Sequence, residues 1–492
     1  MELDSKNSSG AGSYRKTEIR KSVDWFTIVL YIILVVAGWF SIYGASYGFD
    51  SPSFFDITSR PGSQLMWIAL SFVIIFVILM LDSSLYDILA YFIYAAVILL
   101  LVATIFMAPD IKGSHSWLVL GPLRLQPAEF AKFATALAVS KLMNTYGFKL
   151  SNRKDFMRVM MLFLLPMILI MLQKETGSAL VYLAFFLVLY REGMSGYVLL
   201  TGICAIVFFI IGLKYASVTV GVSPLGELIV CSIILAISIA MVGIRWKNYL
   251  AMLYMLGVTA LTFLVSGILS IFMPVNFAAI TLGLVIASSL FLVIVSIREL
   301  TLNYIWIALF SLVSLGYLFS VNYVFSDILE PHHQVRIKEV IGLEDDPTGA
   351  GYNVNQSMIA IGSGGLQGKG FLNGTQTKLK YVPEQDTDFI FCTVGEEEGF
   401  IGSVAVIILF AIFIMRLVVL AERQDSDFSR IYGYCVASIF FFHFAINIGM
   451  VTGLTPVIGI PLPFFSYGGS SLWGFTILLF IFLRFDAQRK VR

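Results

Sequence analysis

Long apolar segments, separated by short polar connections, follow one another along almost the whole chain. Each has about 17–25 residues, the length that an α-helix needs to cross the hydrocarbon core of a bilayer. The segments lie near residues 25–45, 64–82, 85–108, 127–143, 156–173, 176–190, 196–215, 223–243, 248–273, 276–296, 302–325, 389–419, 428–453 and 464–484. The pattern predicts an all-α protein, a polytopic integral membrane helix bundle of about fourteen helices.

Composition points the same way. Hydrophobic residues make up 58% of the chain and charged residues 13%, and the mean hydropathy is +0.88. An ordinary soluble chain carries about a quarter charged residues, so most of this surface must face lipid. The net charge of +1 gives no reason to expect a nucleic-acid partner. The four cysteines lie in apolar segments without CxxC spacing, so we expect small buried side chains rather than disulfides or zinc ligands.

Basic residues indicate the orientation, because Lys and Arg are retained on the cytoplasmic side of a membrane protein. They precede the first segment and recur in the even-numbered connections, at Lys141, Lys149, Arg153, Lys154, Arg158, Arg245, Lys247, Arg298, Arg416, Arg423 and Arg430. We therefore expect both termini in the cytoplasm and no cleaved signal peptide. The predicted organisation is a cytoplasmic basic tail at 1–22, a polytopic membrane domain at 23–485 and a cytoplasmic C-terminus at 486–492.

The connection at 326–387 is the longest polar region and is predicted to be extracytoplasmic. Loops of this length are usually functional or disordered. Apolar residues such as Ile337, Val340, Met358 and Ile359 are interleaved with polar ones. We therefore expect short amphipathic helices at the outer membrane interface.

A carboxylate, Asp388, stands where this loop meets the segment at 389–419. It could cap the N-terminus of the helix, and Asp386 is equally placed for that role. Alternatively, Asp388 is a general base at the rim of a cavity. The local sequence leaves both interpretations open.

Two other polar groups lie at the ends of apolar segments. Glu129 and Lys132 are three residues apart, so they could form an intrahelical ion pair, or Lys132 could face inward as an anion ligand. The group Gln173-Lys174-Glu175 is either an ordinary turn or a polar group kept near the membrane for function.

Two stretches are rich in glycine. The run at 362–370 lacks the Walker pattern, because Ser363 and Gly370 stand where that pattern needs Gly and Ser or Thr, although backbone N–H groups there could still bind phosphate. The stretch at 454–471, rich in proline and glycine, predicts a broken helix or re-entrant turn beside a cavity. None of the four histidines has metal-ligand spacing with acidic partners.

Taken together, these segments resemble the SEDS family (shape, elongation, division and sporulation). The resemblance rests on motifs in the same order along the chain, at 113–118, 126–132, 173–180, 346–352, 356–366, 374–376, 387–391, 396–397, 447–450 and 461–471. The stretch at 368–376 is closer to the elongation branch of the family than to the division branch. Two features depart from the family: Gln173-Lys174-Glu175 replaces the usual Gln-Pro-Asp, and about four helices between 217 and 325 are added to a core of about ten.

The resemblance implies a peptidoglycan glycosyltransferase in the bacterial cytoplasmic (inner) membrane that polymerises lipid II during cell elongation. Asp388 matches the family's catalytic aspartate, which favours the general-base interpretation. Substrate contacts are implied for Lys132, Glu129, Trp117, Glu175, Lys369 and Gln356, with Lys132 and Lys369 as ligands for pyrophosphate. No dedicated metal site or cofactor is predicted, although a divalent cation, Mg²⁺ or Mn²⁺, could share the charge of the pyrophosphate.

Partners and alternatives follow from the same resemblance. The implied partners are a class B penicillin-binding protein that cross-links the strands and elongation-complex proteins such as MreC and MreD. Buried charges and broken helices also fit a lipid II flippase. A division paralogue within the family and a scaffold whose chemistry belongs to a partner are the remaining alternatives.

Overall fold

The computed structural model of the protein describes residues 23–47, 56, 58–111, 114–120, 123–216, 218–323, 325, 327, 334, 338 and 351–489. The predicted tail at 1–22, the end of the chain at 490–492 and most of 326–350 lie outside the described residues. Of the predicted amphipathic segments in the outer loop, the part around Ile337 and Val340 therefore falls outside, whereas Met358 and Ile359 lie on a described helix.

The chain divides into two compact units, Met1–Ser195 with Gly351–Arg492 (unit 1) and Gly196–Ala350 (unit 2). The described helices of unit 1 are α1 Trp25–Ser46, α2 Arg60–Met80, α3 Ser83–Met107, α4 Pro127–Met143, α5 Arg153–Leu172, α6 Thr176–Leu180, α7 Phe185–Arg191, α13 Tyr352–Ser363, α14 Thr375–Lys378, α15 Ile390–Glu397, α16 Gly399–Glu422, α17 Asp427–Val451 and α18 Gly469–Arg489. A 3₁₀ turn, Val181–Ala184, joins α6 to α7, and the strands β1 Leu118–Leu120 and β2 Leu123–Leu125 pair antiparallel.

Unit 2 contains α8 Gly196–Lys214, α9 Leu225–Ala240 with a π-helical end at Met241–Arg245, α10 Tyr249–Leu269, α11 Phe277–Glu299 and α12 Asn303–Tyr323, with a short hairpin of β3 Thr219–Val220 and β4 Ser223–Pro224. The helix α9 packs against α8, α11 and α12. Val230, Ile234 and Val285 are fully buried at the centre of this unit.

Every predicted apolar segment corresponds to helix. Among the described residues, twelve helices are long and apolar enough to span a membrane. The segments at 127–143 and 176–190 form shorter helices, Pro127–Met143 and Thr176–Arg191, the second of them interrupted by the 3₁₀ turn. Large apolar side chains such as Phe106 and Leu250, each 83% exposed, cover the outer faces of the spans. The protein is a multi-pass membrane protein.

Three boundaries differ from the predictions. The segment predicted at 389–419 forms two helices, α15 and α16, because Gly399 has a φ of +66° and interrupts the helical backbone between them. The last helix begins at Gly469 rather than 464 and continues to Arg489, past the predicted domain end at 485. The stretch between α17 and α18 has no regular helix, as predicted from its prolines and glycines.

The helix α4 lies at the centre of unit 1, packed against α3, α17 and α18. Ala128, Ala131, Ala134 and Ala138 are all buried, and such small side chains allow neighbouring helices to approach closely. Because protein rather than lipid surrounds this helix, it can carry charged residues on its buried face.

Aromatic packing anchors the irregular stretch that precedes α18. Phe464 is buried, with its ring 5.0 Å from that of Tyr31 and 5.3 Å from that of Phe440. Phe465 is buried beside it. Hydrophobic burial of two rings therefore helps to fix a backbone segment that forms no regular helix.

One end of unit 1 is closed by ion pairs. Asp24 forms an ion pair with Arg416, and the fully buried Asp486 forms one with Arg423. Together the two ion pairs join α1, α16 and α18. Burial raises the pKa of Asp24, but hydrogen bonds from Arg416 and Thr27 outweigh it and lower that pKa to about 2. These contacts involve the residues before the first membrane segment and the connections after even-numbered segments. The polar turns described next follow odd-numbered segments, so they lie at the opposite end of the unit.

Candidate active site

The turn that carries Asp388 is held through three consecutive backbone carbonyls. The carbonyl of Asp386 accepts from the backbone N–H of Tyr467 at 2.8 Å. The carbonyl of Thr387 accepts from Ser466 Oγ at 2.6 Å, and that of Asp388 accepts from Asn447 Nδ2 at 2.8 Å. The backbone of this turn is therefore fixed against α17 and the irregular stretch before α18.

Neither aspartate of the turn is the N-cap residue of the following helix. The N-cap residue of α15 is Phe389, and it forms no side-chain capping hydrogen bond. Asp386, which is buried, instead forms an ion pair with Arg60 at the start of α2. The N-cap position of α15 is therefore taken by Phe389 rather than by either aspartate, and the Asp386 carboxylate is held by Arg60 instead.

The carboxylate of Asp388 faces Gly459. A Cβ atom on Gly459 would lie 3.2 Å from Asp388 Oδ2, and the φ of this glycine is +76°, a conformation that disfavours other residues. Asp388 is only partly buried. A carboxylate with a fixed backbone and partial exposure has the access that a general base needs.

A buried ion pair lies on α4. Lys132 Nζ is 2.8 Å from Glu129 Oε2, and both side chains are 2% exposed. Lys132 Nζ also lies 3.1 Å from His443 Nε2 and 4.5 Å from the centre of the Phe475 ring. The two residues thus form the intrahelical ion pair that their spacing predicts, and both are buried inside the bundle. The role of Lys132 as an anion ligand stays a prediction.

Glu175 lies close to this pair. It accepts from Gln126 Nε2 and, at 2.9 Å, from Ser178 Oγ. Burial raises the pKa of Glu175, and the charge of Glu129 adds to this effect while hydrogen bonds and Lys132 oppose it. The turn at 173–175 is therefore part of the polar cluster rather than an ordinary surface turn.

The segment that contains Trp117 packs on the same turn. The backbone N–H of His115 donates to the carbonyl of Gln173 at 3.1 Å, and Ser114 Oγ donates to the same carbonyl at 3.3 Å. Trp117 follows directly, half-buried, before β1. The structure thus brings Trp117, Glu129, Lys132 and Glu175 into one region of unit 1.

Lys369 has a different environment. Its Nζ lies 2.7 Å from Oε1 of the fully buried Glu396 and 2.7 Å from Thr375 Oγ1. The same carboxylate accepts backbone N–H groups of residues 375, 376 and 377 at 2.8, 2.8 and 2.9 Å. Burial raises the pKa of Glu396, but Lys369 and these N–H groups lower it to about 2. Lys369 therefore fixes the glycine-rich loop to α15.

Gln356 lies half-buried on α13, the helix that precedes this loop. Its neighbour Ser357 is buried and donates to the carbonyl of Val451 at 3.0 Å, which joins α13 to the end of α17.

A cavity of about 500 Å³ opens beside the Asp388 turn. It is lined by polar and charged groups that include Ser46, Arg60, Lys380, Glu384 and Asp386. Its volume is within the usual range for small-molecule sites, about 300–1,000 Å³. The described residues around it therefore leave room for a polar ligand next to Asp386, two residues before Asp388; Asp388 itself does not line the cavity.

Sequence reasoning missed two residues of this site. His443 and Asn447 are buried on α17, four residues apart and hence on one helical face. Two polar side chains at helical spacing in an otherwise apolar segment are the signal that could have identified them.

Comparison with known proteins shows the family of the chain. Residues 24–220 and 263–491 match the family model FTSW_RODA_SPOVE, described as cell cycle protein. The family model leaves residues 221–262 unmatched, and these contain α9 and part of α10. This stretch is shorter than 217–325, where the sequence predicts about four added helices.

Two relatives align along most of their length. The peptidoglycan glycosyltransferase RodA of Treponema pallidum is 32% identical over 432 residues, 87% of this chain and 89% of the relative. The peptidoglycan glycosyltransferase MrdB of Escherichia coli K12 is 28% identical over 406 residues, 82% of this chain and 80% of the relative.

A solved structure has the same fold. A chain in a structure of a peptidoglycan synthase complex that coordinates polymerization and crosslinking superposes with a TM-score of 0.59 at 23% identity, over 95% of this chain and 98% of that one. The family match covers most of the sequence and the whole polar cluster. The chain therefore belongs to the FtsW/RodA/SpoVE family of cell cycle proteins.

Proposed function

We propose that this chain is a peptidoglycan glycosyltransferase that polymerises lipid II during cell elongation, with Asp388 as its general base. The observation that carries the proposal is the partly exposed Asp388 carboxylate on a turn whose three carbonyls are fixed. The relatives that align along most of the chain carry the name of this activity.

The chemistry requires one proton acceptor. The 4-hydroxyl of the acceptor's GlcNAc attacks the anomeric carbon of the donor's MurNAc, and its proton passes to Asp388. A β-1,4 bond forms as the α-linked bond to phosphate breaks, so a single displacement inverts the anomeric centre. Undecaprenyl pyrophosphate leaves as an anion and needs electrostatic stabilisation rather than a strong acid.

Lys132 supports that stabilisation. Its ammonium is held in place by Glu129, and burial away from water strengthens its interaction with a nearby anion. Both ammonium groups are paired with a carboxylate, so pairing does not separate Lys132 from Lys369. Lys369 is the weaker candidate because it fixes the glycine-rich loop to α15, whereas His443 connects Lys132 to Pro461, close to the residue that Asp388 faces. We assign the contact with pyrophosphate to Lys132 and the shaping of the outer loop to Lys369.

A divalent cation finds no protein-built site among the described residues, which contain no group of three or more His, Cys, Asp or Glu side chains that could hold a metal ion. A share of Mg²⁺ or Mn²⁺ in neutralising the pyrophosphate stays a prediction. The steps proposed here use the protein's own groups.

The polar cluster lies on the extracytoplasmic side in our proposal, with both termini in the cytoplasm of a bacterial cell. The connections that meet at the site, at 114–126, 173–175, 386–388 and 459–468, all follow an odd number of membrane segments from the N-terminus. A basic N-terminal tail retained inside therefore places the site outside.

A class B penicillin-binding protein is the proposed partner, because the new strands need a crosslinking activity and the outer loop at 326–387 contains no Ser-x-x-Lys acylation motif. The fold neighbour from a synthase complex that couples polymerization to crosslinking is consistent with such a pairing. MreC and MreD remain proposed members of the same assembly.

The decisive experiment uses the purified chain in lipid nanodiscs with lipid II, alone and with a class B penicillin-binding protein whose transpeptidase is blocked. We expect long uncrosslinked glycan strands, and faster synthesis with the partner. Lipid II transfer across liposome membranes without any strand formation would instead support the flippase alternative.

A further inference from the structure

The helix α17 presents two buried polar side chains to the active site. His443 is 1% exposed and Asn447 is fully buried, and one helical turn separates them. Both donate to carbonyls of the irregular stretch before α18: Asn447 to Ile460 at 2.7 Å and His443 Nδ1 to Pro461 at 3.2 Å. The two side chains therefore bind adjacent peptide units of one segment.

Asn447 uses both hydrogens of its amide nitrogen. One goes to the carbonyl of Ile460, and the other goes to the carbonyl of Asp388 at 2.8 Å. Ile460 directly follows Gly459, the residue that the Asp388 carboxylate faces. The side-chain amide of Asn447 therefore links the backbone of Asp388 to the segment that the Asp388 carboxylate faces.

His443 makes the equivalent connection to Lys132. An ammonium group has donors and no acceptor, so the His443 Nε2 that lies 3.1 Å from Lys132 Nζ must be the acceptor. The ring is then neutral, with its proton on Nδ1, where it donates to Pro461. An edge-on contact with Phe475, at 4.7 Å between ring centres, holds the imidazole in this orientation.

We propose that His443 and Asn447 are positioning residues that together set the placement of the base Asp388 relative to the cation Lys132. This inference rests on the proposed function. In an inverting displacement the attacking hydroxyl and the departing pyrophosphate lie on opposite sides of the anomeric carbon. The proton acceptor Asp388 and the cation Lys132 must therefore stay a fixed distance apart. Asn447 links Asp388 to Ile460, and His443 links Lys132 to the adjacent residue Pro461.

The expected cost of losing either side chain is kinetic. A misplacement of about 1 Å typically lowers a rate by up to roughly 100-fold. Asn447→Leu keeps the volume and removes both donors, so kcat should fall roughly 10- to 100-fold while KM for lipid II changes by less than about threefold. His443→Phe should act similarly. His443→Gln, whose amide both donates and accepts, should recover most of the lost rate.

Tyr432→Phe is the matched control. Tyr432 is fully buried on the same helix and donates to the carbonyl of Leu478 at 3.1 Å, away from Asp388 and Lys132. Its loss removes one buried hydrogen bond between α17 and α18, so we expect near-normal kcat. Thermal unfolding of all four variants in nanodiscs measures the structural cost separately.

The outcomes separate the two proposals. If the unsubstituted chain makes no strands from lipid II, the proposed function is wrong. If it does, and Asn447→Leu and His443→Phe keep kcat within about twofold, the positioning role alone is wrong. The positioning role is also contradicted if Tyr432→Phe lowers kcat as much as they do, because any weakening of α17 would then suffice.

Discussion

The two units of this protein differ in the kind of polar group that they bury. Unit 1 buries charged side chains, namely Asp24, Glu129, Lys132, Asp155, Asp386, Glu396, Glu397, Arg484 and Asp486. The described part of unit 2 buries only hydroxyls among its polar side chains, at Ser223, Ser238, Ser266, Thr281, Ser289, Ser296, Ser311 and Ser314. The candidate membrane spans of both units are apolar helices of similar length, 19–25 residues, so the contrast does not come from the membrane alone.

The hydroxyls of unit 2 are satisfied mostly within their own helices. Ser238 donates to the carbonyl of Ile234 at 2.8 Å, and Ser289 donates to that of Val285 at 2.7 Å. Such bonds satisfy the hydroxyl without a specific partner. A buried charge costs several kcal/mol unless it is paired, so the charges of unit 1 need specific partners. These lie on another element for Asp24 and Asp486 and on the same helix for Glu129. The comparison teaches that the costly polar groups are concentrated in the unit that carries the proposed chemistry.

The strongest test of this contrast is Asp388→Asn. The amide keeps the shape of the side chain but cannot accept a proton, and loss of a general base typically lowers a rate by ~10²–10⁴-fold. We expect strand synthesis from lipid II to fall by this factor while membrane insertion and thermal stability stay unchanged.

Asp386→Asn is the matched control, two residues earlier on the same turn. It weakens the ion pair with Arg60 but leaves the base in place, so we expect a loss of less than about tenfold. Near-normal synthesis by the Asp388→Asn protein would show that another group accepts the proton.

The second test is Lys132→Met, measured alone and combined with Glu129→Gln. The single change leaves a buried carboxylate unpaired, which typically destabilises by about 3–5 kcal/mol. The double variant removes both charges, so it should recover most of that stability. If Lys132 stabilises the leaving pyrophosphate, kcat should stay roughly 10²–10³-fold low in both variants.

Activity and stability are measured on the same preparations, by strand synthesis and by thermal unfolding. If the double variant recovers both the rate of strand synthesis and the thermal stability, the ion pair has only a structural role.

The sequence was sufficient to predict the helices and the charged residues near the site. A helix that crosses a bilayer must be long and apolar, so its position is encoded locally, and a charge within it is conspicuous. The break at Gly399 was missed because a glycine in a long apolar run does not reveal its φ. The hydrogen bonds of Asn447 were missed for a different reason, since they join residues that are distant in sequence.

Lys369 illustrates the same limit. Its position in a glycine-rich run suggested an anion ligand, but its partner Glu396 lies 27 residues further along the chain. Only the packing of the loop on α15 shows that this charge is already neutralised.

The third test examines this loop through Glu396→Gln. The carboxylate has a pKa of about 2 instead of its ordinary 4.5, so it stabilises the protein above pH 4.5 and this contribution is lost as pH falls from about 4.5 towards 2. The melting temperature of the unsubstituted protein should therefore fall between pH 6 and pH 3, and the Gln variant should be less stable at pH 6 but lose less on acidification.

The neighbouring Glu397 has the opposite shift, because burial raises its pKa to about 7. Its contribution is fully present below about pH 4.5 and is lost as pH rises towards 7, so it overlaps the upper part of the pH 6 to pH 3 range. The Glu396→Gln protein keeps Glu397, so comparing that variant with the unsubstituted protein isolates the effect of Glu396. Equal pH dependence in the Glu396→Gln and unsubstituted proteins would contradict the role of this carboxylate as the anchor of the loop.

The smallest expected effect lies in unit 2, at the hydroxyl pair Ser238 and Ser311. Their Oγ atoms are 2.8 Å apart and join α9 to α12, while each hydroxyl also bonds its own helix. Hydrogen bonds between membrane helices contribute on average about 0.6 kcal/mol. We therefore expect Ser238→Ala to leave strand synthesis within about twofold of normal and to shift the melting temperature by only a few degrees. Ser311→Ala serves as the reciprocal variant, and the double variant should lose little more than either alone, because the pair shares one interhelical bond. A loss of synthesis comparable to that of Lys132→Met would mean that unit 2 contributes to the chemistry, and the division between the two units would then be wrong.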